Sequence, residues 1–441
     1  KYSFSEASIE SITIPSKVKI LGEFCFSDCS NLYSIEFQPD SNLTIIGNYA
    51  FSDTPIQSLF IPRNVRELRE GWCSGASKLN DVIVSAENKH FKVFGGKFII
   101  GKESENEDDN YDTLVFAFRD IEEAVIPSFI KKLSSFSFSE CMKLKTVIFT
   151  QNSELQVIDS YAFSNSSIVS ISIPSGVRLI GESSFSECGS FVSIEFPLNS
   201  ELTVIDRYAF SSSSIESIMI PQKVDRICES AFHDCSNLKS IEFAENSQLH
   251  SIEKSSFSGS SLQKIVIPAL VSEVGELAFA ECTLLNSVEF AENSQLKTIE
   301  NFAFYYCSFS SICIPPSVSQ IGEGAFAECK FLKEIDLSNN NELKTIKSRS
   351  FYDSCLNRLS IPSSVTVLEE GWCSCCGKLD NVSISPNNGC FAVFNGDFVF
   401  GKDDENSEKF DNLVFASRPI KDAVIPEFIK RILPFSFSEC A

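Results

Sequence analysis

Short stretches of alternating hydrophobic and polar residues recur along the whole chain. In "LKSIEF" (residues 238–243), Ile241 and Phe243 alternate with Ser240 and Glu242, which is the two-residue period of a strand with one buried face. Such a strand is too short to be stable alone, so we expect it to pair with the same strand of the next repeat. The pattern predicts a parallel sheet with Ile241 and Phe243 facing inward and Glu242 facing solvent.

An Ile-Pro pair marks the period of this pattern. The isoleucines follow one another in steps of 47 residues, apart from one step of 65 and one of 64, at Ile14, Ile61, Ile126, Ile173, Ile220, Ile267, Ile314, Ile361 and Ile425. Each 47-residue unit divides into a long and a short coil with the same order of apolar positions, so the elementary period is 23 to 24 residues. Proline directly after a strand ends its ladder and turns the chain into the next wall. The spacing predicts an α/β-type repeat solenoid of leucine-rich-repeat length, with a parallel sheet on one face and Ala-Phe-x-x-Cys segments on the opposite wall.

Two related segments interrupt the repeat. Residues 86–120 match residues 386–419, and in both a Gly-Gly or Asn-Gly pair stands between apolar β-formers, which is typical of a two-residue hairpin. We therefore divide the chain into coils at 1–85, a hairpin module at 86–120, coils at 121–385, a second hairpin module at 386–419 and the start of a further coil at 420–441.

The long coils resemble one known family. "IPPSVSQIGEGAFAECKFLKEIDL" (residues 314–337) follows the pattern I-P-x-x-V-x-x-I-G-x-x-A-F-x-x-C-x-x-L-x-x-I, which is similar to the BspA-like leucine-rich-repeat family. Members occur as surface proteins of trichomonad protists and of mucosal anaerobic bacteria, and they are implicated in binding host cells and extracellular-matrix proteins. The resemblance extends over essentially the whole chain and implies a protein-binding role. It implies no catalytic residues, because the family has none to carry over.

Composition narrows the classes of partner. The chain has 441 residues and a formal net charge of −22, which repels nucleic acid and anionic membranes and favours protein partners with cationic surfaces. Forty phenylalanines against two methionines and two tryptophans indicate one aromatic position that is refilled in coil after coil. No apolar run approaches the 18 residues of a membrane span. Because Lys1 and Ala441 both fall within the repeat pattern, we interpret the chain as a fragment whose signal and anchor lie outside it.

The sequence predicts no enzyme, no cofactor and no metal site. His90, His233 and His250 are the only histidines and lie apart, and no phosphate loop, G-x-S-x-G or H-E-x-x-H motif occurs. The acidic loops at 103–112 and 403–411 are candidates for Ca²⁺ binding, but they lack the glycine turn and final glutamate of an EF-hand loop. We interpret both as solvated loop tips.

Most cysteines follow the repeat. We expect a structural ladder of buried cysteines, each three positions after a phenylalanine or its replacement, at Cys29, Cys141, Cys188, Cys235, Cys282, Cys329, Cys376 and Cys440. Cysteines in the short coils also allow a Cys307–Cys329 or a Cys355–Cys376 disulfide, although buried free thiols are the preferred interpretation. In "GWCSCC" (371–376), Cys376 belongs to the ladder and Cys373 stands where Phe326 stands one unit earlier. Only Cys375 has no place in the repeat, and one thiol does not make a zinc site.

The outward positions of the strands are the best candidates for binding. From residue 195 to residue 336, carboxylates alternate with uncovered apolar or sulfur side chains, at Glu195, Met219, Glu242, Val266, Glu289, Cys313 and Asp336. Exposed apolar groups flanked by charges of one sign are typical of a protein-binding surface. The alternative is that these positions are merely solvated or pack along the sheet.

Three hypotheses follow. The first is a non-enzymatic ectodomain, a cell-surface adhesin that binds host-cell or extracellular-matrix proteins along the solenoid. The second is an intracellular, acidic, Cys-rich inhibitor or scaffold that sequesters a basic protein. The third is lateral packing of chains into a coat, because neither end of the chain carries a polar capping repeat.

Overall fold

The computed structural model describes residues 1–102, 110–402 and 407–440, and the chain forms two compact units, Lys1–Ile215 and Glu216–Ala441. Each unit is a solenoid of stacked coils in which a strand of three or four residues, a two-residue strand and a run of turns alternate. The leucine-rich-repeat solenoid with a parallel sheet is confirmed.

The described residues of the first unit contain eighteen strands, numbered in chain order. They are β1 (Ser11–Ile14), β2 (Ile20–Leu21), β3 (Ser34–Phe37), β4 (Ile45–Ile46), β5 (Ser58–Ile61), β6 (Glu67–Leu68), β7 (Asp81–Val84), β8 (Phe91–Phe94), β9 (Phe98–Gly101), β10 (Thr113–Ala117), β11 (Glu123–Ile126), β12 (Lys132–Leu133), β13 (Thr146–Phe149), β14 (Val157–Ile158), β15 (Ser170–Ser172), β16 (Leu179–Ile180), β17 (Ser193–Glu195) and β18 (Val204–Ile205).

The second unit continues the numbering. Its strands are β19 (Ser217–Ile220), β20 (Arg226–Ile227), β21 (Ser240–Phe243), β22 (Ser251–Ile252), β23 (Lys264–Ile267), β24 (Glu273–Val274), β25 (Ser287–Phe290), β26 (Thr298–Ile299), β27 (Ser311–Cys313), β28 (Gln320–Ile321), β29 (Glu334–Asp336), β30 (Thr345–Ile346), β31 (Arg358–Ile361), β32 (Val367–Leu368), β33 (Asn381–Ile384), β34 (Phe391–Phe394), β35 (Phe398–Gly401), β36 (Asn412–Ala416) and β37 (Arg431–Ile432).

The longer strands form the predicted parallel sheet wall. In the second unit β19, β21, β23 and β25 lie side by side, while β27–β29 and β31–β33 form separate pairs. The two-residue strands of the second unit, which are the even-numbered strands from β20 to β32, lie side by side and form a second parallel wall. The alternation read from the sequence is confirmed, because Ile241 is buried, Phe243 is half-buried and Glu242 is exposed.

The wall opposite the sheet is a stack of turns, which we call the turn wall. In one coil the N–H groups of Leu277, Phe279 and Glu281 donate to carbonyls at the matching places of the next coil, at 3.0, 2.8 and 2.8 Å. Leu277 and Glu281 adopt left-handed backbone conformations, with φ of 56° and 60°. These conformations break the run of α geometry that a helix requires. The α/β label is therefore wrong in one respect: the residues that the structure describes contain strands and turns but no helix.

Phenylalanine fills the core of the turn wall, as the composition indicated. In the second unit the ring centroid of Phe257 lies 5.2 Å from those of Phe232 and Phe279, and the centroid of Phe304 lies 5.3 Å from that of Phe279. The stacked rings are nearly parallel. All four side chains are fully buried. Offset stacking of this kind adds about 0.5–1.5 kcal/mol per pair beyond the burial of area.

Antiparallel strands occur at the two interruptions of the repeat. β8 pairs with β9, and β9 pairs with β10, which then joins β12 in the parallel direction. β34, β35, β36 and β37 repeat the same arrangement in the second unit. The connections at Gly95-Gly96 and Asn395-Gly396 have positive φ at both residues, as a two-residue hairpin turn requires.

Candidate binding surface

All seven outward positions named from the sequence are exposed on the sheet wall. Glu195 lies in the first unit, where it accepts a hydrogen bond from the Ser172 hydroxyl at 2.9 Å. The other six lie in the second unit. We call these six residues the sheet face: Met219, Glu242, Val266, Glu289, Cys313 and Asp336.

The register of the strands fixes how the sheet face is arranged. Met219 lies directly opposite Glu242, Val266 opposite Glu289, and Cys313 opposite Asp336. Adjacent strands lie about 4.8 Å apart, so each apolar or sulfur side chain is in reach of a carboxylate. Met219 and Val266 expose 49% and 41% of their surface, so they are accessible to a partner.

The three carboxylates of the sheet face differ in their partners. Nζ of Lys264 lies 2.7 Å from Oε1 of Glu289, and this contact holds the pKa of the Glu289 carboxyl below its ordinary value. Asp336 accepts the Ser338 backbone N–H at 2.8 Å, and hydrogen bonds from Ser338 lower its pKa as well. Glu242 has no hydrogen-bond or ion-pair partner among the residues that the structure describes. Glu242 is therefore the carboxylate of the sheet face that is left without a compensating cation.

The ladder beside Glu242 is interrupted. β21 and β23 are paired only at Ser240 and Lys264, whereas β19–β21 and β23–β25 are each paired at four positions. The two coils leave a groove of about 640 Å³ between them, which we call the Glu242 groove.

The Glu242 groove combines an apolar floor with a polar rim. We call its apolar lining residues the floor, namely Phe243, Val266, Pro268, Ala269 and, from the following coil, Ala291, and its polar lining residues Ser240, Glu242 and Lys264 the rim. Its volume falls within the range of about 300–1,000 Å³ that is usual for ligand sites. This groove could not be predicted from the sequence, because it depends on how many positions of two neighbouring coils pair.

The cysteines named as a ladder lie in the turn wall. Seven of them are fully buried and Cys440 is half-buried. The thiols of Cys188, Cys282 and Cys329 donate to phenylalanine carbonyls of the preceding coil at 3.0, 3.1 and 3.1 Å. Burial raises the pKa of Cys188 to about 11 and that of Cys282 and Cys329 to about 12. All 17 cysteines are free thiols, including the pairs that the sequence allowed to bridge.

The structure gives Cys375 a place in the repeat, contrary to the sequence interpretation. Cys375 has a φ of 61°, and the same left-handed slot holds Glu328 one unit earlier, with a φ of 56°. Gly75 fills this slot in the matching segment near the start of the chain, with a φ of 74°. Among the described residues no cluster of three or more His, Cys, Asp or Glu side chains is arranged to hold a metal ion. Residues 103–109 and 403–406 of the acidic loops lie outside the described residues. Their interpretation as solvated loop tips rather than Ca²⁺ sites therefore stays a prediction.

Two buried arginines explain why Trp-Cys replaces Ala-Phe beside each interruption. Arg418 is 2% exposed, and its guanidinium donates to the carbonyls of Cys373 at 3.2 Å and Ser436 at 3.3 Å. Nη2 of Arg418 also lies 3.6 Å from Sγ of Cys373. A phenylalanine in place of Cys373 would occupy the space that the guanidinium takes. Arg119 occupies the matching place in the first unit, where it is buried, donates to the carbonyl of Ser137 at 3.2 Å and hydrogen-bonds to the Cys73 thiol. Sequence reasoning missed both arginines, although they align in the two interrupting segments.

One protein family matches most of the residues in both units. The family described as BspA type Leucine rich repeat region matches residues 1–95, 112–206, 203–305 and 297–395. No curated protein matches the chain. Among solved structures, a leucine-rich repeat protein from Bacteroides ovatus is 22% identical, covers 84% of this chain and 86% of its own, and gives a TM-score of 0.46.

Two further structures are similar. A leucine rich cell surface protein from Faecalibacterium prausnitzii is 23% identical, covers 86% of this chain and 88% of its own, and gives a TM-score of 0.43. The pneumococcal vaccine antigen PcpA is 21% identical, covers 69% of this chain and 72% of its own, and gives a TM-score of 0.38.

Within the described residues, no helix has the length and apolar character needed to cross a membrane.

Proposed function

The chain belongs to the BspA-type leucine-rich-repeat family, and on that premise we propose that it is a non-enzymatic adhesin of the cell surface. It binds host-cell or extracellular-matrix proteins along the sheet wall of its solenoid. In this proposal residues 1–85, 121–385 and 420–441 supply the coils, and residues 86–120 and 386–419 are inserted hairpin modules.

One observation carries the proposal. Met219 and Val266 are uncovered apolar groups on the outward face of the sheet, and each lies opposite a carboxylate. A few well-buried side chains supply most of the binding free energy at protein interfaces, and surrounding charges of one sign select the partner and raise the association rate. A partner with apolar and cationic side chains at its surface is complementary to this face.

A matched pair of charge-reversed variants tests the proposal. The sheet-face variant carries Glu242→Lys, Glu289→Lys and Asp336→Lys. The control carries Asp234→Lys, Glu281→Lys and Glu328→Lys, which are the turn-wall positions of the same three coils and have the same composition of carboxylates. Biolayer interferometry against fibronectin, laminin and type I collagen measures both variants and the wild type.

We expect the wild type and the turn-wall control to bind at least one of these matrix proteins with similar affinity. The sheet-face variant weakens that binding by about tenfold or more, because each reversal turns an attraction into a repulsion. Equal weakening by the two variants contradicts the choice of this wall, and no binding of the wild type to any of the three contradicts a matrix adhesin.

The net charge of −22 favours a second candidate, an intracellular scaffold that sequesters a basic protein. Antibody labelling of intact source cells separates the two functions. Labelling of intact cells is expected for the adhesin, whereas labelling that appears only after permeabilisation supports the intracellular scaffold.

A further inference from the structure

We propose that the Glu242 groove is a subsite that takes one apolar side chain from an extended, cationic segment of a protein partner. This proposal rests on the proposed function, because it gives the sheet wall a specific point of attachment. Three properties of the groove select this ligand: its floor, its charge and its direction.

The floor selects an apolar side chain. Val266 and Ala269 from one coil and Phe243 from the preceding coil line the groove, and each is at least partly open to solvent. Filling the groove with an apolar side chain removes these groups from water. This transfer contributes about 25 cal/mol for each Å² of apolar surface that is buried.

The rim selects a cation. Lys264 is neutralised by Glu289 at 2.7 Å, so Glu242 is left as the uncompensated charge at the rim of the groove. Glu242 is exposed and has no side-chain partner within the described parts of the chain. A lysine or arginine of the partner forms an ion pair there without breaking an existing one, whereas an acidic side chain is repelled.

The direction of the groove selects an extended segment. The groove runs along two parallel strands that are paired only at Ser240 and Lys264. In an extended chain, alternate side chains point to the same side and are about 6.6 Å apart. A segment lying along the groove therefore directs an apolar residue to the floor and a basic residue two positions away to Glu242.

A fluorescent peptide provides the probe. The peptide Ser-Lys-Thr-Leu-Thr-Lys-Ser carries a leucine flanked by lysines two positions away on both sides, and fluorescence polarisation measures its affinity for the full chain. Two control peptides replace the leucine by aspartate or both lysines by glutamate. We expect saturable binding of the first peptide and binding at least about tenfold weaker for each control.

Variants of the protein locate the binding. Ala269→Trp fills the groove, and Gln222→Trp places the same ring at the matching position of the preceding short coil, outside the groove. We expect Ala269→Trp to weaken peptide binding by about tenfold and Glu242→Gln by about threefold with a shallower salt dependence, while Gln222→Trp has no effect. Absence of saturable binding, or equal weakening by the two tryptophan variants, overturns the proposal.

The same variants separate this proposal from the proposed function. If Ala269→Trp leaves binding to a matrix protein intact while the sheet-face variant abolishes it, the sheet wall binds but the groove is not its subsite. If the peptide binds the groove and no matrix protein binds the chain, the groove stands and the adhesin fails.

Discussion

The turn wall and the sheet face of the second unit differ in how strictly their residue types repeat from coil to coil. Along the turn wall the same residue types return in coil after coil, with Phe257, Phe279 and Phe304 stacked and Cys282 and Cys329 bonded to phenylalanine carbonyls. Along the sheet face the apolar position changes from methionine to valine to cysteine, and the carboxylates differ in their partners. The repeated positions hold each coil to the next, and the changing positions are the ones that we propose for recognition.

The largest expected effect comes from breaking the turn wall. Phe279→Ala removes a fully buried ring that stacks on Phe257 and Phe304, and we expect the free energy of unfolding to fall by about 3–5 kcal/mol. Urea unfolding followed by far-UV circular dichroism measures the change. The control is Val266→Ala on the sheet face, with an expected loss of about 0.5 kcal/mol or less. Similar losses for the two variants would show that the sheet face is as structural as the turn wall.

A smaller loss is expected where an interruption meets the turn wall. Arg418→Met leaves the carbonyls of Cys373 and Ser436 without their buried donor, so stability falls by about 1–3 kcal/mol. Arg358→Met, which breaks an exposed ion pair with Glu334, provides the control, with an expected change of about 0.5 kcal/mol or less. A stability gain from Arg418→Met, measured by the same urea titration, argues against a structural role for the buried guanidinium.

Thiol reactivity is expected to divide the two regions. Burial holds the pKa of Cys282 and Cys329 at about 12, so both are protonated and inaccessible at neutral pH. Cys313 is exposed on the sheet face, and we expect iodoacetamide to modify it first although its own pKa is raised by partial burial and by Asp336. Peptide mapping by mass spectrometry reports the order. Modification of Cys282 in the native protein as fast as Cys313, or a disulfide within the turn wall, contradicts the buried ladder.

The smallest expected effect is the pH dependence of one pair on the sheet face. The folded-state pKa of Glu289 is lowered by Lys264, so the pair stabilises the fold above the ordinary glutamate value of 4.5 and is lost as the pH falls through the lowered value. Relative to Glu289→Gln, the wild type should therefore lose thermal stability between about pH 6 and about pH 3. Lys264→Met removes the cause of the shift, and a pH-dependent difference that survives in its background means that the pair is not responsible.

The sequence predicted the repeat and its strands because hydrophobic alternation is a local signal. Ile241, Phe243 and Glu242 take the sides that the two-residue period assigned to them. The α/β-type label did not specify a wall made of turns, because the left-handed conformations at Leu277 and Glu281 leave no trace in hydrophobic periodicity.

The Glu242 groove and the buried arginines were beyond the reach of sequence reasoning for a different reason. The groove depends on the loss of pairing between two coils after Ser240. Arg418 and Cys373 meet although 45 residues separate them in the chain. Both features depend on contacts between coils, which a period within one coil does not encode.

Carboxyl footprinting of the complex tests the central claim most directly. The chain is treated with a carbodiimide and an amine, alone and bound to the matrix protein of highest affinity, and mass spectrometry measures labelling at each carboxylate. Recognition by the sheet wall predicts that the partner protects Glu242, Glu289 and Asp336 and leaves the turn-wall carboxylates Asp234 and Glu281 as reactive as before. Protection of Asp234 and Glu281 with full labelling of Glu242 would contradict the account.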